Sequence, residues 1–253
     1  MSGRLAGKVA IVTGAARGQG AAVAREFAAE GAAVALLDVL DDAGRDVAGA
    51  ITQQGGAARY LHCDLREEED VRWAVEATVA AFGGLDVLYN NAAVIAYFRK
   101  IAELPTAEWD RTLAVNLRGP FLCAKHALPH LVARGGGVVI NVSSHGAVQA
   151  SPIGCADYAV AKGGLITFTY YLASEYGPQN VRANCILPGP VPTDLNAAFL
   201  ATPEGRAACA QMIPLGRVGE LADIARAAVF LASDEAKWIS GATLRVDGGI
   251  VVQ

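Results

Sequence analysis

Apolar residues come in short uninterrupted runs along this chain, separated by longer stretches in which apolar and polar positions are mixed. Runs such as Val9-Ala10-Ile11-Val12 and Ala33-Val34-Ala35-Leu36-Leu37 contain no charge and suit strands covered on both faces, as in a parallel sheet. The pattern predicts strands at 8–13, 33–38, 57–63, 85–89, 138–142, 181–187 and 243–247. The intervening stretches predict helices at 21–30, 67–82, 107–132, 155–176 and 220–231. Acids open the 67–82 stretch, as the helix dipole prefers, and Gly177-Pro178 closes 155–176. Residues 194–215 are less regular. No repeat, low-complexity tract or linker interrupts the alternation. The expectation is one α/β domain over 1–253, with a doubly wound, mainly parallel sheet and helices on both faces.

Ligands of such sheets sit at the carboxyl ends of the strands. The first strand breaks there into Gly14-Ala15-Ala16-Arg17-Gly18-Gln19-Gly20 and then a helix. A strand, a glycine-rich turn and a helix start place bare N–H groups where a pyrophosphate could lie, and the glycines let it approach closely. This is a Rossmann-like arrangement, although the spacing is Gly-x-x-x-Gly-x-Gly rather than the common Gly-x-Gly-x-x-Gly. Asp38 ends the second strand, 18 residues past Gly20, where a carboxylate would bond a ribose 2′-hydroxyl and repel a 2′-phosphate. NAD is therefore expected over NADP; Arg17 is the cation that argues the other way, and the carboxylate weighs more. Asp64, Asn90, Ser144 and Pro188 fall at the same sheet edge.

Tyr158 and Lys162 stand four apart in a predicted helix and so share a face. A fixed cation beside a phenol favours the phenolate, which makes Tyr158 a candidate acid/base for a hydroxyl or carbonyl group. The Ser144 hydroxyl could hold the same substrate oxygen. A Tyr-x-x-x-Lys pair by itself is more often surface or packing, so its weight comes from the convergence at the sheet edge.

Composition narrows the partners. A net charge of −4 argues against nucleic acid or an anionic membrane. No signal segment precedes the first strand and no long apolar run could span a bilayer, so a cytoplasmic protein is expected. Five scattered cysteines show no metal or disulfide spacing and read as buried thiols. His126 and His130 lack a third ligand, so no metal site is expected.

These residues together resemble the short-chain dehydrogenase/reductase (SDR) family over nearly the whole chain. The marks are Thr13-Gly14-x-x-x-Gly18-x-Gly20, Asp64, Asn90-Asn91-Ala92, Asn116, Ser144, Tyr158-x-x-x-Lys162, Pro188-Gly189, Thr193 and Asp247-Gly248-Gly249. Two positions depart from the family pattern. Ala93 replaces a usual glycine, and the gap from Ser144 to Tyr158 is 14 residues, one more than commonest, which leaves Ser143 as an alternative to Ser144.

The resemblance implies an enzyme that interconverts a secondary alcohol and a ketone with NAD(H). Tyr158 would exchange the proton, Ser144 hold the oxygen, Lys162 bind the nicotinamide ribose, and Asn116 position a water leading to solvent. Asn116 could instead be a helix-kink residue, or both. Thr193 and Val191 would hold the carboxamide, Asp64 and Leu65 border the adenine, and Asn90 and Ala92 meet the adenosine side. Gly14, Arg17, Gly18, Gln19, Gly20, Tyr158, Pro188 and Gly189 complete the cofactor set. The family also implies a homotetramer.

A non-catalytic NAD sensor would be expected to lose Tyr158 or Lys162, and a sugar-nucleotide epimerase or dehydratase to carry a longer C-terminal domain. Substrate is expected to meet Ser144, Tyr158, His145 and an apolar wall of Val94, Ile95, Tyr97, Val148, Ile153, Leu195, Phe199 and Met212, with residues 190–215 as the substrate segment. That lining favours a small, neutral, fairly hydrophobic substrate.

Overall fold

The computed structural model describes residues 3–96, 99–150, 154–194 and 196–252. Its centre is a seven-stranded sheet in the order β3-β2-β1-β4-β5-β6-β7. The strands are β1 Val9–Thr13, β2 Ala33–Asp38, β3 Ala57–His62, β4 Val87–Asn90, β5 Gly137–Val142, β6 Val181–Pro188 and β7 Thr243–Val246. Every pairing is parallel, with Ile11 opposite Ala35 on one side and Leu88 on the other. The direction of winding reverses at β1, where β2 leaves on one side and β4 on the other, and this switch point opens a crevice above the strand ends.

The uninterrupted apolar runs are explained by two cores. Ala10, Val12, Val34 and Ile140 face one layer, packed under α1 (Gly18–Ala29), α2 (Asp41–Gln53) and α9 (Leu221–Ala232). Val9, Ile11, Ala35 and Val139 face the other, under α3 (Glu68–Phe82), α5 (Gly119–Ala133) and α6 (Ala156–Tyr176). Alternate side chains of each strand thus enter opposite cores.

Three differences from the sequence expectation bear on the site. The helix α2 was not anticipated; its buried face is short and built of small residues, Gly44, Val47, Ala48 and Ile51. The expected long helix at 107–132 is α4 (Thr106–Leu113) and α5 joined by a π-helical turn at Ala114–Arg118. Pro120 has no N–H to give the Asn116 carbonyl, the bond an α-helix would make there, so the turn widens at that point. The irregular 194–215 segment contains α7 (Ala197–Leu200) and α8 (Pro203–Gln211), and the Thr202 hydroxyl caps α8 by accepting from Gly205 N at 3.0 Å. Ile250 packs with Leu200, Cys209 and Ile213 in a small third cluster beneath this segment.

Candidate active site

One cleft of about 790 Å³ runs along the carboxyl edge of the sheet, within the range of ligand sites. Sixteen of the expected site positions line it: Gly14, Arg17, Gly18, Gln19, Asp38, Asp64, Leu65, Ala92, Ser144, His145, Tyr158, Lys162, Pro188, Gly189, Val191 and Thr193. Gly20, Asn90 and Asn116 do not.

The floor at β1 is shaped by missing side chains. Gly14 takes φ +64°, and a Cβ there would lie 2.7 Å from the Ala92 Cα. A Cβ on Gly20 would lie 2.1 Å from the Gly14 carbonyl oxygen, so α1 can start against this turn only with glycine. Gly20 therefore acts beneath the cleft rather than in its wall. No side chain caps the N-terminus of α1 and no acid sits in its first turn. Its N–H groups and positive dipole end are thus left for an anion. Asn91 fastens the turn to β4: its amide donates to the carbonyls of Thr13 and Gly14 at 3.0 and 3.2 Å. Thr13 Oγ1 accepts from Asn91 N and Ala92 N in return.

At the outer end, Asp38 is held by three backbone donors, Ala16 N at 3.0 Å, Val39 N at 2.8 Å and Leu40 N at 3.1 Å. Its carboxylate is fixed at the cleft margin before any ligand arrives. Arg17 points across the opening to Asp194, with Nε 2.8 Å from the carboxylate. Asp64 pairs with Arg66, whose hydrogen bond holds its carboxyl below the ordinary value.

The inner end brings the acid/base candidates together. Lys162 is buried, its Nζ donates to the Val142 carbonyl at 2.7 Å, and it lies 5.7 Å from the centre of the Tyr158 ring. Burial lowers the Lys162 pKa to about 8, so the ammonium still predominates at neutral pH. Both serines line the cleft; Ser143 Oγ donates to the Lys162 carbonyl at 2.7 Å, whereas Ser144 Oγ accepts from Gly146 N at 3.2 Å.

Two expected residues are placed differently. Asn90 is buried, and its amide donates to Asn141 Oδ1 at 2.9 Å, so its side chain ties β4 to β5 and the adjoining cleft wall is Asn91 to Ile95. Asn116 is also buried, with its amide group bonded to Val94 N at 2.8 Å and Val94 O at 2.7 Å. It supports the wall from behind and lies within the π turn Ala114–Arg118. Of the apolar substrate wall, Val94, Ile95, Phe199 and Met212 line the cleft and Val148 does not; Tyr97, Ile153 and Leu195 lie outside the described residues. His126 and His130 are paired with Glu68 and Glu76 on α3.

Sequence reasoning missed two further contributors. Asn196 accepts from Thr193 N at 2.8 Å and donates to the Val191 carbonyl at 2.7 Å, fixing the turn that carries both cleft residues. An Asn three residues past a Thr in a Pro-rich turn was the available signal. Arg111, on α4, adds a guanidinium to the wall near Val115.

The sequence model for the family described as enoyl-(acyl carrier protein) reductase matches residues 14–251. The chain belongs to the short-chain dehydrogenase/reductase family. Curated SDR relatives include 3beta-hydroxysteroid dehydrogenase 1 of Eggerthella lenta, 41% identical over 98% of this chain and 95% of that protein. D-threitol dehydrogenase of Mycolicibacterium smegmatis is 40% identical over 99% of this chain and 95% of its own length. Among solved structures, a gluconate 5-dehydrogenase from Burkholderia cenocepacia in complex with NADP and tartrate has a TM-score of 0.93 at 31% identity, covering 99% of this chain and 98% of that one. As an SDR member the chain is an oxidoreductase of the dehydrogenase type.

The lysine makes a pH prediction for the protein without ligand. Below about 8 both folded and unfolded chains carry the Lys162 proton; between about 8 and the ordinary 10.5 the unfolded chain binds more protons, so stability rises with pH. Relative to Lys162→Met, which removes this titration, the wild type is expected to gain up to roughly 3 kcal/mol over that window. Parallel denaturant melts of the two proteins from pH 7.5 to 10.5 measure it. A constant difference between them refutes the depressed lysine.

Proposed function

We propose that the chain is an NAD(H)-dependent oxidoreductase interconverting a secondary alcohol and a ketone. One observation carries this reading: Ser144, Tyr158 and the buried Lys162 share a cleft with an uncapped helix start and a pre-anchored Asp38. Those features suit a dinucleotide. Gly14, Gly18 and the α1 N-terminus would hold its pyrophosphate, Asp38 its adenosine ribose, Asp64 and Leu65 its adenine, and Val191 and Thr193 its carboxamide. Bound there, the nicotinamide would supply the hydride chemistry. The protein's part is acid/base and positioning work. The Ser144 hydroxyl donates to the carbinol or carbonyl oxygen, Tyr158 moves the proton at that atom, and the Lys162 cation favours the phenolate.

The gluconate 5-dehydrogenase structure was solved with NADP, whereas Asp38 here favours NAD, and Arg17 is engaged by Asp194. Relatives named for a steroid and for threitol span apolar and polar alcohols. The apolar wall of Val94, Ile95, Phe199 and Met212 supports a small, neutral, fairly hydrophobic substrate. A panel of cyclic, aliphatic and aromatic secondary alcohols with NAD, read at the nicotinamide absorbance, tests the reaction; no reduction of NAD with any of them counts against it.

The reading extends to one catalytic domain over 1–253, with substrate met by 190–215, working in the cytoplasm as a homotetramer. Among the described residues no helix is long and apolar enough to cross a membrane. Phe121, Tyr170 and Tyr171 leave large apolar surfaces exposed on α5 and α6, beside a groove lined by Leu113, Leu117 and Phe168. A second copy packing its own α5 and α6 there would cover them. Light scattering at micromolar concentration is expected to give about four times the 26.1 kDa chain mass; the monomer mass would sink the assembly.

A further inference from the structure

His145 follows Ser144 directly, in a single 3₁₀ turn, His145–Ala147, at the end of β5. The turn carries its ring to the end of β6, where Nδ1 lies 3.3 Å from the Pro188 carbonyl oxygen. A carbonyl can only accept, so Nδ1 bears the hydrogen. Burial pushes the ring pKa below the ordinary 6.5, against smaller opposing effects of the Pro188 carbonyl and Asp247, and the ring is neutral at pH 7. The second nitrogen, Nε2, then holds a lone pair and no hydrogen. Among the described residues no hydrogen bond reaches it, and it is not one of the polar atoms sealed from solvent without a partner. His145 lines the cleft beside Ser144 and Tyr158. An unused acceptor is therefore carried by a cleft-lining ring, one residue from the serine expected to hold the reacting oxygen.

We infer that His145 selects substrates bearing a second hydroxyl next to the reacting carbinol, that hydroxyl donating to Nε2. Residues 144 and 145 are adjacent and both line the cleft, so the His145 ring is offered to a hydroxyl neighbouring the one that Ser144 would hold. The inference rests on the alcohol–ketone reading and narrows it to vicinal diols, or hydroxyketones in the reverse direction, on an otherwise apolar frame. A substrate without the donor leaves Nε2 facing carbon instead of the water it met in the free cleft, and is disfavoured.

The test compares cyclohexane-1,2-diol, 2-methoxycyclohexanol and cyclohexanol by kcat/KM, with NAD and with NADP. The methoxy compound keeps the bulk and removes the donor. The diol is expected to exceed both others by about tenfold or more, a ratio of the size a single hydrogen bond supports. His145→Phe is expected to bring that ratio to within about twofold of one, whatever the absolute rates, and His145→Gln, which keeps an acceptor, to restore part of it. Turnover of the methoxy compound equal to the diol, or a diol preference that survives His145→Phe, overturns the assignment while leaving the alcohol–ketone reading intact. Turnover of none of the three overturns both. Long-range ¹H–¹⁵N NMR of the ring is independent of turnover: an Nδ1–H tautomer is expected, and an Nε2–H tautomer overturns the inference.

Discussion

A Tyr158→Phe enzyme is expected to lose turnover by about 10²- to 10⁴-fold while binding NADH as the wild type does. The change removes one oxygen and keeps the ring, which lies against the Lys162 side chain with Nζ 5.7 Å from its centre. The glycine turn is fastened by Asn91 and Thr13, and Asp38 by Ala16, Val39 and Leu40, so the adenosine end of the cleft should be untouched. Fluorescence titration of NADH alongside steady-state rates separates the two effects. His145→Ala is the control, because it removes the other titratable ring in the inner cleft. It is expected to change KM and substrate ranking by about 1–3 kcal/mol at most, with the form of the pH–rate profile kept. A His145→Ala enzyme as inactive as Tyr158→Phe, and still binding NADH, would move the proton chemistry onto His145.

Much of the fold is legible because parallel strands buried on both faces must be apolar at every position. Ala33–Asp38 is read with its observed ends for that reason. At β4 the expected start at Leu85 came too early, since Asp86 uses its side chain to accept from Val9 N and the strand begins after it. Helix α2 hides because no capping side chain marks its start at Leu40 and its polar residues outnumber its apolar ones, although Val47, Ala48 and Ile51 do share one buried face. The π turn is hidden for a different reason: the sequence shows Pro120, but not which residue will take up the lost bond.

The cleft shows the same division. Residues that would touch a ligand stand at strand ends, where the pattern changes abruptly, and those positions could be named. The residues that hold them in place could not, because their partners are distant in the chain: Asn91 with Thr13, Asn116 with Val94, and Ser143 with the backbone of α6. Asn90 illustrates the cost of reading position alone. It stands at a strand end like the others, yet its side chain runs along the sheet to Asn141.

Cofactor choice offers the second large effect. The wild type is expected to prefer NAD over NADP on the order of 100-fold in kcat/KM, because a 2′-phosphate would replace a hydrogen bond to Asp38 with repulsion between anions. Asp38 cannot swing away at little cost, since Ala16, Val39 and Leu40 hold both its oxygens. Arg17 could offset the repulsion only by leaving Asp194; both groups of that pair are largely exposed, and such pairs are weak. The pair therefore tempers the preference without reversing it. Asp38→Asn keeps an acceptor toward Val39 and Leu40, removes the charge, and sets an amide donor against Ala16 N–H. It is expected to lower the NAD:NADP ratio by tenfold or more, chiefly through better use of NADP, while adding Asp194→Asn lowers it further by freeing Arg17. Equal or better kcat/KM with NADP in the wild type would show that the carboxylate at the end of β2 does not govern the choice.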